Sequence, residues 1–249
     1  MKAIAVLLIL FWTSSVAELF IDRMIIWNVG QGLWVTIVSL DSCTHVDMGG
    51  EKVDWKKVAK VCGNKTSNKV VFSHWDLDHI SFAERASRQL PGFCVATPPR
   101  GPATPQKTEI FARFLNCPES SSREPSKAFP VSEIKFAPTG KKIKANDMSR
   151  VYLGHSTLFP GDSTAKQERI WSRFILPQNL KYLVLGHHGS KTSTSLNLLK
   201  KLPQLQLAIA SARKKRYGHP HRSVVKNLRD FGVATLSTEQ WNNIVIELK

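Results

Sequence analysis

His74, Asp76, Asp78 and His79 fall within six residues, His74-Trp75-Asp76-Leu77-Asp78-His79, directly after the apolar run Val70-Val71-Phe72. Two carboxylates and two imidazoles at a strand end gain nothing from packing, because their desolvation and mutual repulsion are costly unless a cation neutralises them. The segment predicts a buried strand that delivers a metal site at its end. A solvated acidic loop is the plainer alternative, and more distant residues weigh against it.

Asp47, Asp162, the pair His187-His188, and His219 with His221 share one property with the cluster: each follows a strand-like run and stands beside glycine or a turn. Strand ends are where sites are built. Asp47 before Gly49-Gly50, or Asp162 in Pro160-Gly161-Asp162-Ser163, reads by itself as a turn residue. His187-His188 followed by Gly189-Ser190 is rarer, and paired imidazoles serve as ligands or acid/base groups.

The intervening chain alternates strands and helices. A β-meander is predicted from Met24 to Val29, Leu33 to Leu40 and a run ending at Val46, then a helix from Lys52 to Cys62. A strand from Lys69 to Ser73 delivers the cluster, and Ser81 to Leu90 reads as a helix. Residues 98–130 are rich in Pro, Ser and Thr and predict a long excursion with a short helix near Ile110 to Leu115. Strands are expected at Glu133 to Phe136, Ser149 to Leu153, Thr157 to Phe159, Tyr182 to Leu185 and Leu207 to Ala210. Helices are expected at Thr164 to Phe174, Ser195 to Lys201 and Ser223 to Phe231, with closing strands. Two β-rich halves flanked by helices predict two facing sheets.

Met1-Lys2, the ten-residue apolar stretch Ala3 to Trp12 and the small residues to Ala17 have the three parts of a secretory leader. Cleavage after Ala17 would leave a single domain from Glu18 to Lys249. The stretch is shorter than the roughly 20 residues of a spanning helix, which argues against a permanent membrane anchor. The formal charge is +16, and loss of Lys2 with the leader lowers it by one. Such an excess favours anionic partners, of which nucleic acid, teichoic acid-like polymers and anionic lipid surfaces are the candidates. Arg213-Lys214-Lys215-Arg216 is the densest basic run and the one that adjoins the expected chemistry. Cys43, Cys62, Cys94 and Cys117 include no Cys-x-x-Cys pair, so export predicts two disulfides; three connectivities are open.

Taken together, Asn28-Val29-Gly30-Gln31-Gly32, Val46-Asp47-Met48-Gly49, Ser73 to His79, Asn146 to Ser149, Gly161-Asp162-Ser163, Gly186 to Ser190 and Tyr217 to His221 resemble the C-terminal metallo-β-lactamase-fold domain of ComEC, a competence protein of DNA uptake. The order agrees from about residue 23 to the end. The resemblance implies an α/β fold, a metallo-β-lactamase-like αβ/βα four-layer sandwich, with a two-metal hydrolase site between its sheets. It implies His74 and Asp76 on one cation, Asp78, His79 and His188 on the other, and Asp162 bridging. Asp47 would orient the site from behind. His187 is the alternative to His188 as ligand.

Replacing an imidazole with Asp76 makes the first site harder, which favours manganese or magnesium over zinc. No histidine fills the next ligand position of the wider fold; His155, the nearest, reads as a hairpin tip. Catalysis is expected from Asp78, His187, His219 and His221, and substrate contacts from Ser190, Arg213, Lys214, Lys215, Arg216 and Tyr217. Asn28 stands where the ComEC pattern has aspartate, and Leu33-Trp34 where it has an acidic-serine pair. The expected activity is that of an exported, periplasmic or secreted, metal-dependent DNase acting as a monomer. A small-phosphoester hydrolase such as a phosphorylcholine esterase, and a non-catalytic DNA-binding accessory, are the alternatives.

Overall fold

A computed structural model describes residues 22–118, 130–140, 143–175 and 179–248; the expected leader lies outside them. The first half forms strands β1 (Arg23–Ile26), β2 (Val35–Val38), β3 (Ser42–Val46), β4 (Ser67–Val71) and β5 (Phe93–Thr97), with helices α1 (Trp55–Cys62), α2 (Leu77–Ile80), α3 (Ala83–Gln89) and α4 (Pro105–Ala112). The second half carries β6 (Ser132–Ile134), β7 (Val151–Gly154), β8 (Thr157–Phe159), β9 (Tyr182–Val184), β10 (Leu207–Ala210), β11 (Ala234–Ser237) and β12 (Ile244–Glu247). Its helices are α5 (Ala165–Trp171), α6 (Leu196–Leu199), α7 (Lys214–Tyr217), α8 (Arg222–Asp230) and α9 (Thr238–Trp241).

The strands make two six-stranded sheets, ordered β12-β1-β2-β3-β4-β5 and β11-β10-β9-β8-β7-β6. Side chains alternate across each sheet with the period of a strand. Met24 and Ile26 face the second sheet, packing with Tyr152, Phe159, Val184 and Ile209, whereas Ile25 joins Val58, Ala83 and Ala86 under α1 and α3. In the second sheet Ala208 and Ala210 turn outward to Trp171, Leu198, Val224 and Leu228 beneath α5, α6 and α8. The four layers are those the sequence predicts. Burying one such leucine or isoleucine contributes about 1.5–3 kcal/mol, so the inter-sheet layer holds the halves together.

β3, β4 and β5 run parallel, as do β8, β9, β10 and β11. Asp47, Ser73-His74, Asp162 and Gly186-His187-His188 therefore all emerge at carboxyl ends of parallel strands, where crossover connections open a crevice. Three short helices depart from the expected pattern. α2 (Leu77–Ile80) begins inside the acidic cluster, α7 carries the basic run, and α9 precedes the last strand. Each is a single turn of four residues, which leaves little periodicity to read; α6, of the same length, is marked by its Ser195 cap and the apolar Leu198 and Leu199. The excursion's helix begins five residues earlier than Ile110, with Thr104 as cap and Pro105 in its first turn.

The disulfides are Cys43–Cys62 and Cys94–Cys117. The first ties β3 to the end of α1 and is fully buried; the second closes the excursion back onto β5. A loop of 19 residues corresponds to roughly 3 kcal/mol of unfolded-state entropy. Replacing Cys43 and Cys62 together with serine is expected to lower the unfolding free energy by about that amount in urea titrations while leaving the circular dichroism spectrum native.

Candidate metal centre

The site is built on Asp47, which is wholly buried just after β3. Its Oδ1 accepts the Ser73 backbone N–H at 2.7 Å, and its Oδ2 accepts the Ser73 hydroxyl at 2.7 Å and His79 Nδ1–H at 2.8 Å. With the Ser73 proton spent on Asp47, its hydroxyl oxygen accepts from His74 Nδ1 at 3.0 Å. His188 Nδ1 donates to the Ser211 carbonyl at 3.0 Å. All three imidazoles are thus held by their Nδ1 atoms, and all three present Nε2 to the crevice.

What they face is carboxylate. Asp162 reaches across from β8, its backbone N–H held by Ser149 Oγ at 3.1 Å. Its Oδ1 lies 3.0 Å from His79 Nε2 and 3.7 Å from His188 Nε2; its Oδ2 lies 3.9 Å from His74 Nε2 and 3.7 Å from His187 Nε2. Asp78 Oδ2 is 3.1 Å from His188 Nε2, and Asp76 Oδ2 3.3 Å from His74 Nε2. His74, His79 and Asp162 bring ligand atoms within 4.8 Å of one another, as do Asp78, His79 and His188. Yet His74 Nε2, His79 Nε2 and Asp162 Oδ1 are buried without a hydrogen bond. Unprotonated nitrogens aimed at carboxylates repel them, and a proton or a cation resolves that conflict. The donor set fits divalent cations.

The titration behaviour has the same origin. Burial pushes His79 down, but the carboxylates of Asp162 and Asp47 on either side outweigh it and hold its pKa well above the usual imidazole value. His188 is raised likewise, against its burial, by Asp162 and Asp78. For Asp78, burial is outweighed by the hydrogen bond from His188 and the charge of His79, which bring its pKa down to about 2. His187 is lowered, chiefly by burial.

Local backbone and glycine chemistry place these groups. Asp47, His187 and His188 all adopt positive φ, at 55°, 48° and 56°. Non-glycine residues there cost about 1–3 kcal/mol each and persist where surrounding contacts fix them. Gly49 lies directly under α2: a Cβ added to it would stand 2.4 Å from the His79 backbone nitrogen. This close approach lets Met48 N–H reach the His79 carbonyl at 2.8 Å and Leu33 N–H the Asp78 carbonyl at 2.9 Å. The two glycine turns thereby clamp the acidic cluster from behind.

A cavity of about 570 Å³ opens at the centre, lined by Asp78, His187, His188, His219, Tyr217, Gln31, Glu51 and Leu77. His219 Nδ1 is buried and unpartnered. His221 stands outside this lining and caps α8, its Nδ1 accepting the Ser223 N–H at 3.3 Å. Ser190 Oγ lies 3.0 Å from Thr192 Oγ1 in the turn after the paired histidines. In the basic run, Arg213 and Arg216 donate to Glu51 at 2.9 and 3.2 Å and Tyr217 OH donates to it at 3.0 Å. The backbone N–H groups of Lys214 and Lys215 point to Glu239, leaving their side chains exposed. His155 occupies the β7–β8 hairpin tip, at the far end of β8 from Asp162, as its sequence setting predicts.

Sequence reasoning gave no role to Ser73, Asn146, Ser149 or Glu51. Ser73 adjoins the first ligand and was readable as its support; Glu51 gains its place beside the basic run from partners more than 160 residues away.

These layers, with their crevice at the strand ends, define the metallo-β-lactamase fold. The chain aligns with a diphosphatase of the PhnP family at a TM-score of 0.53 and 10% identity, covering 91% of this chain and 98% of that one. It aligns with the metallo-β-lactamase fold protein YhfI of Bacillus subtilis at 0.52 and 14% identity, covering 92% and 100%. No family profile matches the chain. In sequence it resembles ComEC-type proteins. It is 26% identical over 223 residues to competence protein ComA of Neisseria gonorrhoeae, covering 86% of this chain and 30% of that protein. It is 24% identical over 198 residues to ComE operon protein 3 of Bacillus subtilis, covering 75% and 25%. To recombination protein 2 of Haemophilus influenzae it is 38% identical over 84 residues, 34% of this chain and 10% of that protein. The chain spans less than a third of the length of each of these relatives.

Two outcomes are expected. The carboxylates beside His79 and His188 raise both pKa values, so a cation competes with protons for the two Nε2 atoms; manganese titrations in buffers of different ionisation enthalpy should reveal proton release, with affinity weakening as pH falls. Asp47→Ala should weaken manganese binding by about 10–100-fold, read by calorimetry, because it frees His79 and Ser73 without removing a ligand atom.

Proposed function

We propose that this protein is an exported metal-dependent DNase that hydrolyses phosphodiester bonds through two divalent cations. The observation that carries this reading is the disposition of Asp162, whose two carboxylate oxygens face two separate sets of donors. His74, Asp76 and Asp162 would hold one cation; His79, His188, Asp78 and Asp162 the other. Cations so held supply Lewis acidity, acidifying water at neutral pH and neutralising charge on the phosphoryl oxygens.

The chain's own residues supply the rest. Asp47 and Ser73 fix the imidazole tautomers. His187 and His219, with ring centroids 6.2 Å apart, line the open side of the cavity, where a leaving alkoxide takes up a proton or a phosphate oxygen is held. His221, engaged as a cap, supports the segment carrying His219. Arg213 and Arg216, oriented by Glu51, and the exposed Lys214 and Lys215 form a basic rim beside the cavity. The +16 formal charge supports a polyanionic substrate. The relatives named as competence and recombination proteins support DNA, and the likeness to a diphosphatase supports phosphoester chemistry. The two disulfides favour an oxidising compartment. No described helix is long and apolar enough to cross a membrane.

Incubation of residues 18–249 with single- and double-stranded DNA under manganese, magnesium, zinc or EDTA tests the proposal. Metal-dependent degradation is expected. Asp78→Ala or Asp162→Ala should reduce it by more than the roughly 100-fold that loss of a supporting residue costs, and added salt should weaken it steeply. DNA left intact while small phosphodiesters are hydrolysed would replace the nuclease by a small-phosphoester hydrolase; DNA bound but uncut with every metal would leave a binding protein.

A further inference from the structure

The two halves of the centre are unequally supplied. Asp162 Oδ1 faces His79 Nε2 and His188 Nε2, and Asp78 Oδ2 joins these two imidazoles, 3.1 Å from His188 Nε2, so that side offers four donors. Beside Asp162 Oδ2 stands His74 Nε2 at 3.9 Å, itself 3.3 Å from Asp76 Oδ2; His79 brings a ligand atom within 4.8 Å of those of His74 and Asp162, but its Nε2 turns to Asp162 Oδ1 at 3.0 Å, which leaves that side three donors of its own. Two side chains border the gap: His187, with Nε2 3.7 Å from Asp162 Oδ2, and Asn146, with Nδ2 3.5 Å from the same oxygen.

Asn146 is held in place and left without other work. It opens a 3-10 turn, Asn146–Met148, that is tied to both walls of the crevice. Asp147 accepts the Thr164 hydroxyl at 2.6 Å and the Lys144 N–H at 3.1 Å; Ser149 Oγ accepts the Asp162 N–H, and Arg150 N–H donates to the Ser73 carbonyl at 3.0 Å. The turn is thus fixed to the segments that carry Asp162 and His74. Among the described residues the Asn146 side chain meets Asp162 and His187, and its Nδ2 sits at 3.2 and 3.4 Å from the two ring nitrogens of His187. One donor edge-on to both nitrogens has good geometry with neither. A half-turn of the carboxamide exchanges its nitrogen and oxygen without moving the chain.

We infer that the Asn146 carboxamide oxygen is the remaining protein ligand of the cation held by His74, Asp76 and Asp162. The inference rests on the two-cation reading of the site. His187 is less suited: its Nδ1 is 3.1 Å from Thr192 Oγ1, and its ring turns to His219 and the open cavity. An amide oxygen is a neutral, hard donor. With two carboxylates and one imidazole it makes a set suited to manganese or magnesium, whereas a third-position imidazole would suit zinc.

Calorimetric titration of the purified protein with manganese alone, and with zinc alone, tests this. Wild type is expected to take two manganese ions. Asn146→Ala should keep one and weaken the other by at least about tenfold; Asn146→Asp should keep both. Asn146→His should shift preference toward zinc by at least about tenfold, and His187→Ala should still bind two ions. Two ions bound by Asn146→Ala with unchanged affinity, or loss of one in His187→Ala instead, would overturn the assignment. Should the alanine variant not fold by circular dichroism, an unchanged metal preference in Asn146→His would overturn it equally. A folded wild type that binds no cation would fail the two-cation reading itself, a result distinct from either.

Discussion

A fully buried imidazole, His79, stands between two carboxylates that come from different sheets: Asp47 from β3 on one side and Asp162 from β8 on the other. Neither sheet can form this arrangement alone. The hydrogen bond to Asp47 sets which ring nitrogen is left for the crevice, and the approach of Asp162 requires the halves to pack in one register. The inter-sheet layer of Met24, Ile26, Val71, Tyr152, Phe159 and Ile209 supplies that register. Tyr152 adds a hydrogen bond from its hydroxyl to the Phe72 carbonyl, two residues before His74. Packing of the apolar layer and charge placement in the crevice are therefore one problem, because a shift of one pairing position would turn Tyr152 and Asp162 away from their partners.

The surroundings manage charge by distance. Close to the centre, carboxylates gather to attract cations. Glu51 stands at the cavity's rim, where it accepts from Arg213, Arg216 and Tyr217 and from the Gln31 N–H. Burial would raise the Glu51 pKa, but the hydrogen bonds from Arg213, the Gln31 N–H and Tyr217 outweigh it and lower it. The carboxylate orients two guanidinium groups beside the site while Lys214 and Lys215 stay in solvent. In a protein with such positive excess, one carboxylate placed among arginines orders the local field more than it reduces the total.

Much of the framework is legible in the chain. Alternating apolar residues mark the strands of both sheets, and turns rich in glycine mark their ends. His74, Asp76, Asp78 and His79 stand out because polar groups of this kind have no packing reason to follow an apolar run, and paired His187-His188 is rare, whereas Asp162 reads as a turn residue until the ComEC resemblance is drawn. Asn146 is harder to read, since asparagine before aspartate is common turn chemistry and nothing local shows that its turn abuts Asp162. Glu51 reads as an ordinary exposed residue after two glycines. α2 and α7 escape detection because a single turn of helix has no period to display.

The sequence by itself determined most element types and two facing sheets, which follow from hydrophobic period within short windows, and it marked candidate cation-binding residues by side-chain chemistry, Asp162 and His188 among them only through the ComEC resemblance. It left open which imidazole nitrogen faces the crevice, how the donors divide between the two oxygens of Asp162, which cysteines pair, and that His221 caps a helix while His219 lines the cavity. Those are decided by distances of about 3 Å between residues as far as 110 positions apart. Only the packing of two sheets against one another brings such atoms together, because a local pattern carries direction along the chain and no information on what approaches across it.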